Sequence, residues 1–271
     1  MTRRYAVVGN PVSHSLSPLM HAGWLADHNV DADYIALKLE SADPIGAIRN
    51  LGAQGFSGVN VTVPYKEAAA AAADFGAFTV ANTLCWDERG AIWAYNTDGD
   101  GFIDALTEVV PDWRARVAKA LILGAGGAAG GILQALRVSS DHNIEFVIAN
   151  RTRTRAEMLA DNTERTLVGD WNDLGSLFAS ADIIVQTTTL GMNGNESPDW
   201  PVERCKPDAV IVDIVYRPLE TPLLKAARAR GLTAVDGLGM LIHQGARAFE
   251  IWFGIKPDTE KARARLLAAL S

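Results

Sequence analysis

Apolar residues in this chain come in short runs separated by glycine, proline or charge, and the spacing inside each run separates strands from helices. In the first hundred residues, β-rich runs predict strands over Tyr5 to Gly9, Tyr34 to Leu39, Gly58 to Thr62, Thr79 to Cys85 and Ile92 to Tyr95. Helices are predicted near Leu19, Ile45 and Glu67, the last continuing into the alanine run Ala68 to Ala73 behind Pro64. This reads as an α/β lobe in its own right. A second series begins at Lys119, with strands over Ala120 to Leu123, Ile144 to Ala149, Ile183 to Gln186, Val210 to Val215 and Thr233 to Val235. These runs are apolar at both odd and even positions, as parallel strands covered on both faces must be. Helical stretches fall between them, at Ala128 to Arg137, Arg155 to Ala160, Leu174 to Phe178 and Pro222 to Arg230, which predicts a doubly wound parallel sheet. Two amphipathic stretches, Gly101 to Val110 and Met240 to Trp252, flank this series and are expected to connect the lobes. The tail after Pro257 is expected to pack back on the first lobe. The boundaries expected are residues 1–101 with 239–271 for one domain and 102–238 for the other.

Chemistry enters first at Gly124-Ala125-Gly126-Gly127-Ala128-Ala129, directly after the predicted strand Leu121-Ile122-Leu123 and at the start of a helix. The spacing is that of a Rossmann-type dinucleotide turn with alanine in its third small position. The small residues allow a tight turn, backbone approach to a pyrophosphate, and close helix packing. By itself the pattern is weak in a chain this rich in glycine and alanine. After the next strand, where an acidic residue would hold a ribose 2′-hydroxyl, stands Asn150-Arg151-Thr152-Arg153-Thr154-Arg155. Guanidinium groups there suit a 2′-phosphate, hence NADP. The alternative is a solvated basic helix start, although cations at a helix N-terminus oppose its dipole.

Length and composition narrow the classes. A chain of 271 residues, 48% hydrophobic, can fill two ordinary cores. Net charge is −7 with no basic stripe, which argues against nucleic acid or an anionic membrane as partner. Cys85 and Cys205 lie far apart with no metal-ligand spacing, and read as buried thiols. The first residues have too short an apolar run for a signal peptide, and no apolar segment reaches the length of a membrane span. The compartment expected is a reducing cytoplasm. His14, His21, His28, His142 and His243 show no mutual spacing that suggests a metal site. The seven tryptophans read as packing residues.

Three polar clusters fall at the ends of first-lobe strands. In Ser13-His14-Ser15-Leu16-Ser17-Pro18, serines two apart in an extended segment would point the same way and could both donate to a carboxylate; Ser17 could instead cap the helix that Pro18 opens. In Asn60-Val61-Thr62-Val63-Pro64-Tyr65-Lys66, the lysine is either a snorkelling surface residue or a partly desolvated acid/base. In Asn96-Thr97-Asp98-Gly99, the aspartate is either a cap or a functional carboxylate. Interconversion of a ketone and an alcohol by hydride transfer needs a group that gives or takes the oxygen's proton, beside a charge that tunes it. Lys66 and Asp98 would serve if the fold brings them together.

Taken with Asn82-Thr83-Leu84 and Gly237-Leu238-Gly239-Met240-Leu241-Ile242-His243-Gln244, these segments occur in an order that resembles the shikimate dehydrogenase family along nearly the whole chain. The resemblance implies reversible NADPH-dependent reduction of 3-dehydroshikimate to shikimate, on the route to chorismate and the aromatic amino acids. It implies Lys66 as the proton donor and acceptor with Asp98 its partner, and Ser15 and Ser17 at the substrate carboxylate. Thr62, Asn82, Asp98 and Gln244 would bind ring hydroxyls, with Tyr216 completing the set. For the cofactor it implies the turn Gly124, Ala125, Gly126, Gly127 and Ala128, then Asn150, Arg151, Thr152 and Arg155 at the 2′-phosphate, and Ile214 and Gly237 beside the nicotinamide. The first domain would then bind substrate and the second NADP, in a monomer or homodimer.

Two segments depart from the family pattern. The stretch from Lys66 to Asn82 is short, with Thr79-Val80-Ala81-Asn82 in place of Gly-Ala-Val-Asn, and Gln186-Thr187-Thr188-Thr189-Leu190-Gly191-Met192 stands where Asn-Ala-Thr-Pro-Leu-Gly-Met is common. The competing readings are a quinate or dual quinate/shikimate dehydrogenase, which must accommodate one more hydroxyl; a non-catalytic ligand sensor, which could dispense with Lys66 and Asp98; and another two-lobed NADP enzyme such as a folate dehydrogenase, for which the serine segment and Gln244 would have no use.

Overall fold

The structure is a computed structural model and describes residues 2–76, 79–140, 144–161 and 165–270; His142 lies outside them. By its internal contacts the chain divides into two compact units, Met1–Asp98 with Ile242–Ser271, and Gly99–Leu241.

The first unit opens with β1 (Arg3–Gly9), α1 (Ser17–Asp27), β2 (Ala32–Lys38), α2 (Pro44–Arg49), β3 (Phe56–Val61), α3 (Lys66–Ala72), β4 (Thr83–Trp86) and β5 (Ile92–Tyr95). The strand order is β2-β1-β3-β4-β5; β1 runs parallel to β2 and β3, and β4 and β5 are antiparallel additions. The strand expected over Thr79 to Cys85 begins only at Thr83. The reason is a change of backbone partners: Ala81 N–H donates to the Lys66 carbonyl (2.9 Å) and Asn82 N–H to that of Tyr95 (3.0 Å). The chain then passes through α4 (Asp98–Val109) into the second unit.

That unit contains α5 (Trp113–Arg116), β6 (Lys119–Leu123), α6 (Gly127–Ser139), β7 (Glu145–Ala149), α7 (Arg153–Ala160), β8 (Thr166–Gly169), α8 (Leu174–Ser180), β9 (Ile183–Gln186), β10 (Val210–Asp213), α9 (Pro222–Ala229) and β11 (Thr233–Val235). Its six strands are all parallel, in the order β11-β10-β9-β6-β7-β8. The two-sided apolar pattern has the cause expected of it. Ala120 and Ile122 of β6, Ile183 and Val185 of β9, and Val210 and Val212 of β10 enter one core, while Leu121, Leu123, Ile184 and Ile211 enter the core on the opposite face. Each buried valine, leucine or isoleucine among them stabilises the sheet by roughly 1.5 to 3 kcal/mol. β8 went unpredicted, being four residues long with Leu167 exposed. β10 stops two residues short of the predicted Val215, because the Asp213 carboxylate accepts the Val215 N–H at 3.0 Å and turns the chain.

The chain returns to the first unit through α10 (Gly237–Phe253) and ends in α11 (Thr259–Leu270). α10 starts three residues before the predicted Met240, since Asp236 accepts N–H bonds from Leu238 (3.0 Å) and Gly239 (3.3 Å). The tail packs on the first unit as expected: Trp24 Nε1 donates to the Asp258 carbonyl (2.9 Å), and Arg265 grips both carboxylate oxygens of Asp27 (2.6 and 2.8 Å). Behind this, Tyr5, His21, Trp24, Tyr34, Phe249, Trp252 and Phe253 form an aromatic cluster. No helix among the described residues is long and apolar enough to cross a membrane.

Candidate active site

In the first unit, Lys66 is the first residue of α3 and Asp98 the first of α4. An acid is favourable at a helix N-terminus and a cation is not, so Lys66 sits against its own helix dipole. Its compensation is direct: Lys66 Nζ pairs with Asp98 Oδ2, the two side chains retaining only 18% and 9% of their exposure. The fold thus joins the two residues whose proximity spacing alone left open.

The other carboxylate oxygen is held from behind. Asn82 Nδ2 donates to Asp98 Oδ1 (2.9 Å) and lies 3.2 Å from Gln244 Oε1, while Asn82 Oδ1 accepts the Thr97 N–H (2.8 Å) and the Thr83 hydroxyl (3.1 Å). The network continues inward, from Asn60 Nδ2 to Thr83 Oγ1 (3.0 Å) and from Tyr34 OH to Asn60 Oδ1 (2.7 Å). Asn60, Asn82, Thr83, Thr97 and Asp98 are all buried. Sequence reasoning did not assign roles to Tyr34, Asn60, Thr83 or Thr97. Asn60 carried a signal, being a lone amide in the otherwise apolar strand Val59-Asn60-Val61.

Ser15 and Ser17 do not lie in an extended segment as expected. The chain turns there, and Leu16 is already in the right-handed helical region (φ −84°, ψ −8°). Nor does Ser17 cap α1, of which it is the first residue; Ser15 Oγ accepts the Ser17 N–H at 3.2 Å, and Ser17 is buried. Burial pushes the Tyr34 phenol well above its ordinary pKa, and the Ser17 hydroxyl offsets part of that shift. Thr62 follows β3, its N–H donating to the Val8 carbonyl (2.8 Å) and its methyl occupying space that a side chain at Gly9 would fill (2.5 Å). Seven of the eight candidate substrate residues therefore belong to the first unit; Tyr216 belongs to the second, half-buried, with its phenol raised by burial.

In the second unit the glycine turn joins β6 to α6. Gly124 has φ +112°, and a Cβ there would lie 2.5 Å from Thr187 Oγ1, so the position excludes other residues twice over. Gly126 precedes α6 with nothing within 4 Å of where its Cβ would stand, which leaves an open approach to the helix N-terminus. Ala125 and Ala128 are partly exposed and Gly127 exposed, whereas Ala129 is fully buried against the sheet. These features fit a dinucleotide pyrophosphate at the C-terminal edge of a parallel sheet, beside the point between β6 and β9 where strand order reverses. After β7, Asn150 Nδ2 donates to the Thr152 carbonyl (2.8 Å), and α7 begins with exposed arginines and no acid in its first turn. Arg153 pairs with Glu157 (2.8 Å); Arg151 and Arg155 have no ion pair among the described residues. Gly237 meets Ile214 closely, since a Cβ there would lie 2.2 Å from the Ile214 carbonyl oxygen.

A Rossmann-type unit with exposed arginines after its second strand, together with an α/β unit carrying a lysine–aspartate pair, defines a two-unit NADP-type dehydrogenase. Comparison with known proteins narrows the class. Three family models match in order along the chain: the shikimate dehydrogenase substrate binding domain over residues 7–79, shikimate/quinate 5-dehydrogenase over 107–222, and the shikimate 5′-dehydrogenase C-terminal domain over 237–267. The NADP(+) shikimate dehydrogenase of Dinoroseobacter shibae is 43% identical over 269 residues, covering 97% of this chain and 96% of its own. Shikimate 5-dehydrogenase of Thermus thermophilus, solved with NADP(H) and shikimate, superposes with a TM-score of 0.87 at 35% identity, covering 99% of this chain and all of its own. Quinate dehydrogenase of Corynebacterium glutamicum, solved with NAD, gives 0.89 at 29% identity over 98% of this chain and 99% of its own. The chain belongs to the shikimate dehydrogenase family.

Proposed function

We propose that this protein catalyses the reversible, NADPH-dependent reduction of 3-dehydroshikimate to shikimate, a step toward chorismate and the aromatic amino acids. The observation that carries the reading is the Lys66–Asp98 pair, held by Asn82 beside Gln244 in a chain whose other unit has the glycine turn and exposed arginines of an NADP protein. In the reductive direction the Lys66 ammonium gives its proton to the ketone oxygen, and in the oxidative direction the amine takes it back. Asp98 balances the ammonium and orients it. Asn82 and Gln244 bind ring hydroxyls through amide atoms already aligned by the network, with Thr62 as a further hydroxyl contact. Ser15 and Ser17 hold the substrate carboxylate by hydroxyl donation, and Tyr216 is a further candidate for the substrate.

The residues that would hold NADPH are Gly124 to Ala128 at the pyrophosphate, Asn150, Arg151, Thr152 and Arg155 at the 2′-phosphate, and Ile214 and Gly237 at the nicotinamide. The cofactor supplies the hydride. On this reading residues 1–101 with 239–271 bind substrate and 102–238 bind NADP. Free thiols at Cys85 and Cys205 are in keeping with a reducing cytoplasm.

The decisive experiment is an initial-rate assay at the nicotinamide absorbance band, crossing shikimate or quinate with NADP or NAD. Shikimate with NADP is expected to give the highest kcat/KM. Preference for quinate with NAD would move the enzyme to the quinate branch of the family.

A further inference from the structure

At the C-terminal edge of the second unit's sheet, two buried side chains that the proposed chemistry does not use tie together three loops. Gln186 and Asp213 are register partners at the ends of β9 and β10, 0% and 1% exposed. Gln186 Nε2 donates to Asp213 Oδ1 (3.4 Å) and reaches the carbonyls of Thr188 and Leu190 (both 3.2 Å), while its Oε1 accepts the Thr188 N–H. The amide therefore folds residues 187–190 back over the strand end. Asp213 does the same for the next loop: Oδ1 accepts the Val215 N–H (3.0 Å), and Oδ2 accepts from the Thr221 hydroxyl (2.7 Å), which in turn accepts the Leu224 N–H (3.3 Å) at the start of α9.

The third loop is the glycine turn. Gln186 is also the register partner of Leu123, and the next residue, Thr187, donates both its N–H (2.9 Å) and its hydroxyl (2.8 Å) to the Leu123 carbonyl. That hydroxyl fills the space a Cβ on Gly124 would need. A shift of the 187–190 loop consequently reaches the turn, and a shift of 214–221 reaches Ile214, whose N–H donates to the Gln186 carbonyl (3.1 Å).

We infer that Gln186 and Asp213 are positioning residues for the cofactor: a buried amide–carboxylate pair that sets the glycine turn and the loops after β9 and β10 in the register the dinucleotide requires. Neither touches the reacting atoms. The inference rests on the NADP reading above, and it predicts an effect on cofactor binding separate from substrate binding. A buried carboxylate serving only to hold up the sheet would lower stability without that separation.

The test measures NADPH affinity by nucleotide fluorescence and shikimate affinity by calorimetry without cofactor, for the wild type, Gln186→Leu, Asp213→Ala and Asp213→Asn, each checked for native circular dichroism. Gln186→Leu and Asp213→Ala are expected to weaken NADPH at least tenfold and leave shikimate within twofold. Asp213→Asn, which keeps the acceptor for Val215 and Gln186, is expected to stay within about threefold of wild type for both. If Asp213→Ala does not fold, Thr221→Val takes its place, with the same expectation. NADPH affinity within twofold of wild type in the folded Leu and Ala or Val variants, or equal losses for both ligands, would overturn the inference while leaving the function standing. A wild type that binds no NADPH would overturn both.

Discussion

Asn82 donates its amide N–H to Asp98 Oδ1 at 2.9 Å, so the carboxylate that faces Lys66 is fixed on its far side by an uncharged group. A second cation there would compete with Lys66 for the aspartate, and a carboxylate would repel it. Asn82→Ala is therefore expected to lower kcat/KM for shikimate by about 10- to 100-fold, roughly 1.4 to 2.7 kcal/mol. Asn82→Asp should do more damage at neutral pH than Asn82→Ala. Steady-state kinetics of the two variants decide this; wild-type activity in both would remove Asn82 from the site.

Lys66→Ala is expected to lose on the order of 10²- to 10⁴-fold in kcat, the usual range for a positioned proton donor, while still binding shikimate. The measurement is single-turnover NADP reduction with an independent shikimate titration. Turnover near wild type would refute proton transfer by Lys66.

Exposed Arg151 and Arg155 are expected to act on the 2′-phosphate alone. In Arg151→Ala/Arg155→Ala the KM for NADP should rise at least about tenfold and that for NAD should move less than about twofold. A parallel loss with both nucleotides would place the arginines elsewhere than at the 2′ position.

His21 stacks on Tyr34 with ring centroids 4.1 Å apart and planes 2° from parallel, and neither ring nitrogen has a hydrogen-bond partner among the described residues. Burial drives its pKa from 6.5 to about 3. Above pH 6.5 both folded and unfolded chains carry neutral histidine, and stability is unaffected. Below it the unfolded chain takes a proton that the folded one refuses, so stability falls as pH falls, by at most about 5 kcal/mol on reaching pH 3. Urea titrations of the wild type and His21→Phe at about pH 7, 5.5 and 4.5 should show the gap moving in favour of the variant as pH drops. A gap constant with pH would mean that His21 protonates freely in the folded state.

Asp213 gives the opposite slope. Burial raises its carboxyl from 3.8 to about 6, against the hydrogen bonds from Val215 and Thr221. The folded chain holds that proton more tightly, so stability is lost as pH rises from about 4 through 6, by about 3 kcal/mol in all. Asp213→Asn should gain on the wild type between about pH 4.5 and 7.5 in thermal melts, and a pH-independent difference would contradict the shift.

Much of this architecture is legible in the pattern of side chains, for stated reasons. Strands buried on both faces have no polar phase, so Leu121-Ile122-Leu123 and Ile183-Ile184-Val185 declare a parallel sheet before any contact is known. The strand Thr166–Gly169 lacks that signature because Leu167 at the sheet edge is exposed. Within the candidate site, Lys66 and Asp98 could be named as residue types suited to proton transfer. Their meeting depends on β4 and β5 turning the chain back between them, 32 positions apart. The inner layer of Tyr34, Asn60 and Thr83 escaped because its hydrogen bonds span 26 and 23 positions and follow no local period. Ser17 misled because a serine before a proline at a helix start ordinarily caps, and here it is the first helical residue, with Leu16 in the capping place.

The return of α10 and α11 to the first unit has a consequence for synthesis on the ribosome. The second unit is one continuous stretch, 99–241, and can close its sheet as soon as that stretch emerges. The first unit, although translated earlier, must wait: Tyr5, Trp24 and Tyr34 lack Phe249 and Trp252, Trp24 lacks the Asp258 carbonyl, and Asn82 lacks Gln244 until the final helices leave the exit tunnel. The order of completion is thus the reverse of the order of translation, and the aromatic face of the first unit stays uncovered until α10 arrives.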